Sequence, residues 1–226
     1  MADTTLAGKA PSPALTVAEQ RFGAFMLFMY ASGILAHLWP AVRPFTAYTT
    51  DLLLLVIGGG LLYFVYARHR QPRYWYWVAG AYLFTFLMEA LGVATGAVFG
   101  EYAYGATMRV QLLGVPLVIA INWVVLVLAG NTLSRKLFRQ PVAAAAGAGI
   151  FIAVYDYFIE PLAIKLDYWQ WATGTDIPLQ NYLAWAVIAF LLSLPLYRWR
   201  IRFWHPLLLW YLAAQWIFFV VLNWTL

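Results

Sequence analysis

The chain has 226 residues, of which 64% are hydrophobic and 10% are charged, and its mean hydropathy is +0.73. These values lie outside the range of soluble globular domains and predict a polytopic membrane protein. A net charge of +5 would suggest nucleic-acid binding in a soluble chain, but the basic residues fall in short loops here, so no nucleic-acid partner is expected. The lack of cysteine excludes disulfides, thiolate nucleophiles and iron–sulfur ligation.

The first 20 or so residues are small and polar, contain Pro11 and Pro13, and are predicted to form a disordered cytoplasmic tail. Residues 21–226 are expected to form a single integral-membrane helical domain. Within it, seven apolar runs approach or reach the ~20 residues that cross a bilayer. They cover roughly residues 22–39, 51–67, 75–95, 111–130, 142–160, 179–197 and 205–223. The predicted fold class is therefore all-α, a transmembrane bundle of about seven helices.

The charged residues are divided unevenly between the two sides of such a bundle. If the chain crosses the membrane seven times, only three of its 14 basic residues lie on the side away from the N-terminus: Arg43, Arg109 and Lys165. The positive-inside rule then puts the N-terminus in the cytoplasm and the C-terminus outside, in the cell (inner) membrane. Apart from Asp3 and Glu19, the acids fall in the outer half or in outer loops and point to one outward-side site: Asp51, Glu89, Glu101, Asp156, Glu160, Asp167 and Asp176.

Glu89 lies inside the third apolar run, about six residues before Thr95, where the run gives way to glycine and tyrosine. At ~1.5 Å per residue, its carboxyl group is expected about 9 Å below the membrane interface. Because an acid at that depth is costly, it is interpreted first as a functional group that faces the bundle interior. The alternative is a protonated side chain that only hydrogen-bonds a neighbouring helix.

Helix five carries a second acidic element, Asp156 and Glu160, followed at once by Pro161. Their i,i+4 spacing puts both carboxylates on one helix face, about 6 Å apart along the axis. Such a pair in low dielectric resists simultaneous ionisation, and a retained proton suits a general acid. Pro161 is predicted to end or kink the helix. Alternatively, the two acids only hydrogen-bond Tyr155, Tyr157 or loop amides.

Small residues recur in two helices. Gly92, Gly96 and Gly100 have the four-residue spacing that favours close helix packing, although the last two would shape an outer loop if the helix ends after Thr95. The small-residue run at 143–149 in helix five has only the packing interpretation.

Aromatic residues make up 19% of the chain, and several are expected at the outer face among the acids. They are Tyr102, Tyr104, Trp169, Trp171, Tyr182 and Trp185. An aromatic belt at the membrane interface explains much of this pattern. The functional alternative is that rings beside a carboxyl group stabilise a carbocation through their negative faces. Asn122 and Asn181 are suited either to orient a water or an acid, or to join helices.

The three histidines, His37, His69 and His205, lie near predicted helix ends without a partner at helical spacing. No histidine-based metal site is therefore expected, although a divalent cation bound by carboxylates stays open.

One ordered set of motifs resembles the membrane carotenoid 1,2-hydratase family. It comprises E-x-x-G-x-x-T-G-x-x-F-G-x-Y-x-Y from Glu89 to Tyr104, G-V-P at 114–116 with Trp123, an acid–Pro pair at 160–161, W-x-W at 169–171, and I-P-L-x-N-Y-x-x-W from Ile177 to Trp185. The match covers about half of the chain. Many relatives have Asp where this chain has Glu160, which suggests that the carboxyl group matters more than its reach.

The resemblance implies the addition of water to the terminal double bond of a linear carotenoid without a redox cofactor, and no other cofactor and no metal are expected. The residues suit this chemistry: Glu89, or one member of the pair Asp156 and Glu160, is expected to act as general acid and the other as the base that orients water. The candidate substrate-binding residues are Tyr102, Tyr104, Asn122, Trp123, Trp169, Trp171, Asn181 and Trp185. The expected partners are the carotenoid, water and the lipid bilayer. The alternatives are a membrane lycopene cyclase, a prenyltransferase that holds Mg²⁺ and a diphosphate, and a non-enzymatic transporter; the oligomeric state stays unassigned.

Overall fold

The computed structural model describes residues 14–226, so residues 1–13 of the predicted tail lie outside the described part of the chain. Seven helices in the described part are long and apolar enough to cross a membrane, which confirms the predicted all-α fold class. They are α1 Val17–Leu38, α2 Arg43–His69, α3 Pro72–Thr95, α4 Leu117–Leu137, α5 Pro141–Lys165, α6 Leu179–Arg198 and α7 Pro206–Thr225. The protein is therefore a multi-pass membrane protein.

Four short strands lie in the connections between helices. Strand β1 (Tyr102–Tyr104) pairs antiparallel with β4 (Trp169–Trp171), and β2 (Gln111–Leu112) pairs antiparallel with β3 (Val115–Pro116). All four belong to the connections 96–116 and 166–178, on the side of the bundle that also holds the C-terminus. We call this end of the bundle the sheet side.

Helix α4 is the central helix. It packs against α2, α3, α5 and α7, and its residues from Val124 to Ala129 have no exposed surface. Helices α1 and α2 pack against each other, and α1 also packs along α7, so these three flank α4. The arrangement leaves space between α1, α2 and the central helix on the sheet side, where the cavity described below lies.

Helices α5 and α6 form the most extensive helix pair, and Gly149 lies at their closest approach. A Cβ atom built on Gly149 would lie 2.5 Å from the backbone oxygen of Ala186 in α6. This contact confirms the packing role predicted for the small-residue run in helix five.

We expect Gly149→Ala to push α5 away from α6 and to lower the free energy of unfolding by about 1–3 kcal/mol, because backbone cannot yield to the added methyl group. Gly59→Ala is the matched control, since a Cβ there meets no atom within 4 Å. Thermal unfolding in detergent micelles, followed by circular dichroism, measures the difference. Equal melting temperatures for the two variants would contradict the close contact.

The predicted start of the fourth helix is wrong. The fourth crossing begins at Leu117 rather than near residue 111, because positive φ at Leu113 (54°) and Gly114 (76°) turns the apolar residues before it into the β2–β3 hairpin. Of the two effects predicted for Pro161, ending the helix is wrong, because α5 continues to Lys165. Helix α3 ends at Thr95, so the predicted alternative holds for Gly96, which caps the helix with a φ of 67° that suits glycine.

Glu19 was predicted to belong to a disordered tail, but it lies in the first turn of α1, where Thr16 caps the helix. It is buried and accepts hydrogen bonds from the Arg68 guanidinium, at 2.9 and 3.1 Å, and from His205 Nε2, at 2.9 Å. His205 Nδ1 accepts from the Leu207 backbone N–H, which leaves its proton on Nε2. Burial lowers the pKa of His205, so the ring is neutral. This cluster ties α1, α2 and α7 together away from the sheet side.

Candidate active site

The β1–β4 sheet carries two pairs of aromatic residues across the sheet-side end of the bundle. Tyr102 lies opposite Trp171 and Tyr104 opposite Trp169. Because side chains alternate between the two faces of a strand, these four residues share one face, and that face points into the bundle. The Y-x-Y and W-x-W motifs therefore act together as one aromatic lid.

The two tyrosines of the lid bind Glu89, which is 3% exposed. Tyr102 and Tyr104 donate to Glu89 Oε2 at 2.5 and 2.9 Å. From the opposite side, Trp123 Nε1 of α4 donates to Glu89 Oε1 at 2.7 Å. The prediction that Glu89 faces the bundle interior agrees with this position.

Both phenols stay protonated at neutral pH. Burial raises the pKa of Tyr102 and of Tyr104 well above the usual range, and a negative charge on the nearby Glu89, whenever that group is ionised, raises both further. The two hydroxyl groups can therefore serve as hydrogen-bond donors to Glu89 under all physiological conditions.

The two tryptophans of the lid bind Glu160. Trp169 Nε1 and Trp171 Nε1 donate to Glu160 Oε2 at 2.8 and 2.9 Å. Asn181 of α6 donates to Glu160 Oε1 at 3.1 Å and to Asp156 Oδ2 at 2.5 Å. The side-chain amide of Asn181 thus bridges the two acids. The alternative interpretation had expected their partners to be Tyr155, Tyr157 or loop amides.

The hydrogen bonds distinguish Glu160 from Asp156. Glu160 accepts three donors, whereas Asp156 accepts one and its Oδ1 has no partner among residues 14–226. Donors stabilise the charged form of a carboxyl group. Within this pair, the negative charge is therefore better stabilised on Glu160, and the proton is better placed on the fully buried Asp156.

A cavity of ≈ 290 Å³ lies beneath the aromatic lid. Nine of the eleven predicted site residues line it: Glu89, Tyr102, Tyr104, Asn122, Glu160, Trp169, Trp171, Asn181 and Trp185. The other two, Asp156 and Trp123, lie in the layer behind. Trp123 stacks on Trp185, with ring centroids 3.9 Å apart, and Asp156 shares Asn181 with Glu160. The structure thus brings together residues from α3, α4, α5, α6 and both strands of the lid.

The prediction that all outer acids point to one site is wrong for Asp51 of α2 and for the acids of the connections. Asp51 accepts the backbone N–H groups of Arg109 and Val110 at 2.8 and 3.3 Å, and Asp167 accepts that of Ala106 at 3.0 Å. These acids fix the connection that carries β1 to β3. Glu101 and Asp176 are exposed and do not line the cavity.

Sequence reasoning missed the part of the cavity wall formed by α1, α2 and α7. It includes Tyr30, Ser32, His37, Thr46, Thr50 and Gln215. A polar residue in the middle of an apolar helix, as at Gln215, was the available signal. Within residues 14–226, no group of three or more His, Asp or Glu side chains is placed to hold a metal ion.

Comparison with known proteins gives one family and one curated relative. A family model for carotenoid biosynthesis proteins matches residues 50–225. The bisanhydrobacterioruberin hydratase of Haloarcula japonica is 25% identical over 175 residues, which cover 72% of this chain and 56% of the relative. The chain thus spans little more than half the length of that relative. No solved structure matches the chain.

Proposed function

This chain belongs to the carotenoid biosynthesis protein family, and from that premise we propose that it is a carotenoid 1,2-hydratase. It adds water to the terminal C1–C2 double bond of a linear carotenoid and yields a tertiary 1-hydroxy carotenoid, without a cofactor. The observation that carries the proposal is that two carboxyl groups with chemically different partners, Glu89 and Glu160, face one small cavity. The relative's name supports the same reaction class.

Glu160 is the base of this mechanism. Its partners are two indole N–H groups and one amide N–H, all of which can only donate a hydrogen bond. A protonated Glu160 would find no acceptor for its hydrogen among these three partners. The resting state is therefore the carboxylate, which can take a proton from water.

Glu89 is the general acid. Two of its partners, Tyr102 and Tyr104, carry hydroxyl groups that accept as well as donate hydrogen bonds. A protonated Glu89 can therefore donate to a phenol oxygen, which the partners of Glu160 do not allow. Two negative charges across one largely apolar cavity would also repel each other, so one proton between the two glutamates is the stable arrangement.

The reaction balances with these two groups. Glu89 gives its proton to C2, a C–H bond forms, and a tertiary cation is left at C1. A lone pair of water forms the C1–O bond, and Glu160 takes the proton that this oxygen loses. Transfer of a proton from Glu160 to Glu89 through water then restores the starting state.

The walls of the cavity suit a cationic intermediate. The rings of Tyr102, Tyr104, Trp169, Trp171 and Trp185 line it, and a desolvated cation gains ~2 kcal/mol or more from a suitably placed ring. The Glu160 carboxylate adds a direct charge interaction. Together they lower the barrier to protonating an alkene, which is the difficult step.

The size of the cavity fits an end group rather than a whole carotenoid. At ≈ 290 Å³ it is at the lower limit of small-molecule pockets, so the remaining polyene lies between helices and in the lipid. We place the protein in the cell membrane with its N-terminus in the cytoplasm, which puts the aromatic lid on the outer side, where water is available. We further propose that residues 21–226 form one membrane domain.

Expression in cells that make lycopene or γ-carotene tests this function. We expect a new pigment that is heavier by one water, detected by chromatography and mass spectrometry. An isomer of equal mass would instead identify a lycopene cyclase, and a pigment that gains a prenyl unit a prenyltransferase. No change with several linear carotenoids would contradict an enzymatic role and favour a transporter.

A further inference from the structure

The cavity has a second polar region that the proposed mechanism does not use. It is built from Tyr30 of α1, Asn122 of α4, Tyr155 of α5, and Tyr211 and Gln215 of α7, which we call the phenol–amide cluster. Tyr155 donates to Gln215 Oε1 at 2.5 Å, Gln215 Nε2 donates to the Tyr211 hydroxyl at 2.9 Å, and Tyr211 donates to Asn122 Oδ1 at 2.5 Å. Three helices thus meet in one chain of hydrogen bonds, and α1 adds Tyr30 beside it.

Several donors of this cluster are unused. The hydroxyl of Tyr30 is buried and has no partner among residues 14–226. Within the same range, Asn122 Nδ2 makes no hydrogen bond, and Gln215 Nε2 makes one, although it carries two hydrogens. Tyr30, Asn122, Tyr155 and Gln215 all line the cavity. A buried hydroxyl without a partner, as in Tyr30, is costly, so a ligand with an acceptor oxygen is favoured here.

The cluster lies deeper in the membrane than the carboxyl groups. Tyr155 precedes Glu160 by five residues on α5, or about 7.5 Å along the axis. Gln215 lies at the same depth as Tyr155, since each is ten residues before the sheet-side end of its helix. Between the two polar regions the wall is apolar, with Ile159 and Phe219.

This spacing suits the two ends of one addition reaction. Glu89, the acid, lies six residues before the sheet-side end of α3, so by the same measure the cluster is about 6 Å deeper than Glu89. Reacting atoms in a near-attack arrangement are about 3–3.5 Å apart, so an acid and a water that approach opposite faces of an alkene lie roughly 6–7 Å apart. The apolar wall between them suits the terminal methyl groups of the alkene.

Resting on the proposed function, we infer that the phenol–amide cluster binds the oxygen atom that the reaction adds. That oxygen is bound first as water and then, after it has bonded to C1, as the tertiary hydroxyl group of the product. The proton released from the oxygen passes to Glu160 through a second water molecule in the cavity, so the overall balance is unchanged. The site thus recognises a hydroxyl oxygen. When water occupies it, the cation is captured by that water rather than losing a proton to form the alkene again.

Ligand binding tests the inference without requiring turnover. The double variant Tyr30→Phe, Gln215→Met removes three donors while keeping the side-chain volumes similar. The probes are 1-hydroxylycopene and lycopene, with affinity measured by quenching of tryptophan fluorescence in nanodiscs. We expect the affinity for 1-hydroxylycopene to fall about tenfold or more and that for lycopene to stay within about twofold. Tyr157→Phe, which removes an exposed hydroxyl group from α5, is the matched control and should change neither affinity.

A kinetic measurement in D₂O separates this inference from the proposed function. In the double variant, hydration should fall about 10-fold or more, whereas recovered lycopene should still gain deuterium, because Glu89 still protonates the alkene. Equal loss of affinity for both probes, or no loss for either, would overturn the inference. The wild-type protein could also distinguish the two probes through this cluster and yet hydrate no carotenoid. That result would refute the proposed function but would still support the hydroxyl site.

Discussion

Glu89→Gln is expected to lower the rate of carotenoid hydration by about 10²–10⁴-fold, because the general acid is lost and the alkene receives no proton. The variant should still fold. The amide introduced at position 89 can accept from Trp123 Nε1 and donate to the phenol oxygens, which accept as well as donate. Initial rates in membranes, normalised to the amount of protein, measure the effect.

Glu101→Gln is the matched control for this experiment. Glu101 is an exposed acid in the same connection as the lid tyrosines and does not line the cavity. Its replacement should leave the rate unchanged. If Glu89→Gln retained wild-type turnover while folded, another group would have to supply the proton, and the assignment of Glu89 would be wrong.

Glu160→Gln is expected to have an equally large effect on rate, about 10²–10⁴-fold, and an additional effect on stability. An amide offers one acceptor atom where the carboxylate offered two. One of the donors from Trp169, Trp171 and Asn181 therefore loses its acceptor, at a cost of about 1–3 kcal/mol. The rate of hydration and the melting temperature should be measured on the same preparation.

Glu160→Asp tests whether the reaction depends on the charge of the carboxylate or on its distance from the indoles. The shorter acid keeps the negative charge and moves the carboxylate away from the indoles by one methylene, so we expect a loss of hydration much smaller than that of Glu160→Gln. If the Asp and Gln variants at position 160 were equally impaired, the position of the oxygens rather than their charge would control the reaction.

Much of this site could be predicted from sequence because membranes make polar residues conspicuous. Glu89, Asp156 and Glu160 stand out in apolar runs, and the cost of burying an acid in lipid is itself the signal. The seven crossings follow from the same contrast in hydropathy. The W-x-W motif identifies Trp169 and Trp171 as site residues, but three residues are too few to indicate a strand that pairs with β1.

The rest depends on contacts between residues far apart in the chain. Glu19 resembles part of a polar tail until Arg68 and His205 are known to surround it. Tyr30 of α1 and Gln215 of α7 lie in apolar stretches far apart in the chain, and only the packing of these helices brings them to one cavity. The local sequence is enough to predict the helices and to find the acids in them, whereas tertiary packing decides which acids share a site.

The origin of the added atoms tests the central claim most directly. Purified protein is incubated with a linear carotenoid once in D₂O and once in H₂¹⁸O, and the product is examined by mass spectrometry and NMR. If cavity carboxyl groups protonate the alkene and water captures the cation, the product carries one deuterium at C2 in the first case and ¹⁸O at C1 in the second. A hydroxylated product without solvent deuterium at C2, or with its oxygen from O₂, would contradict acid-catalysed hydration in this cavity.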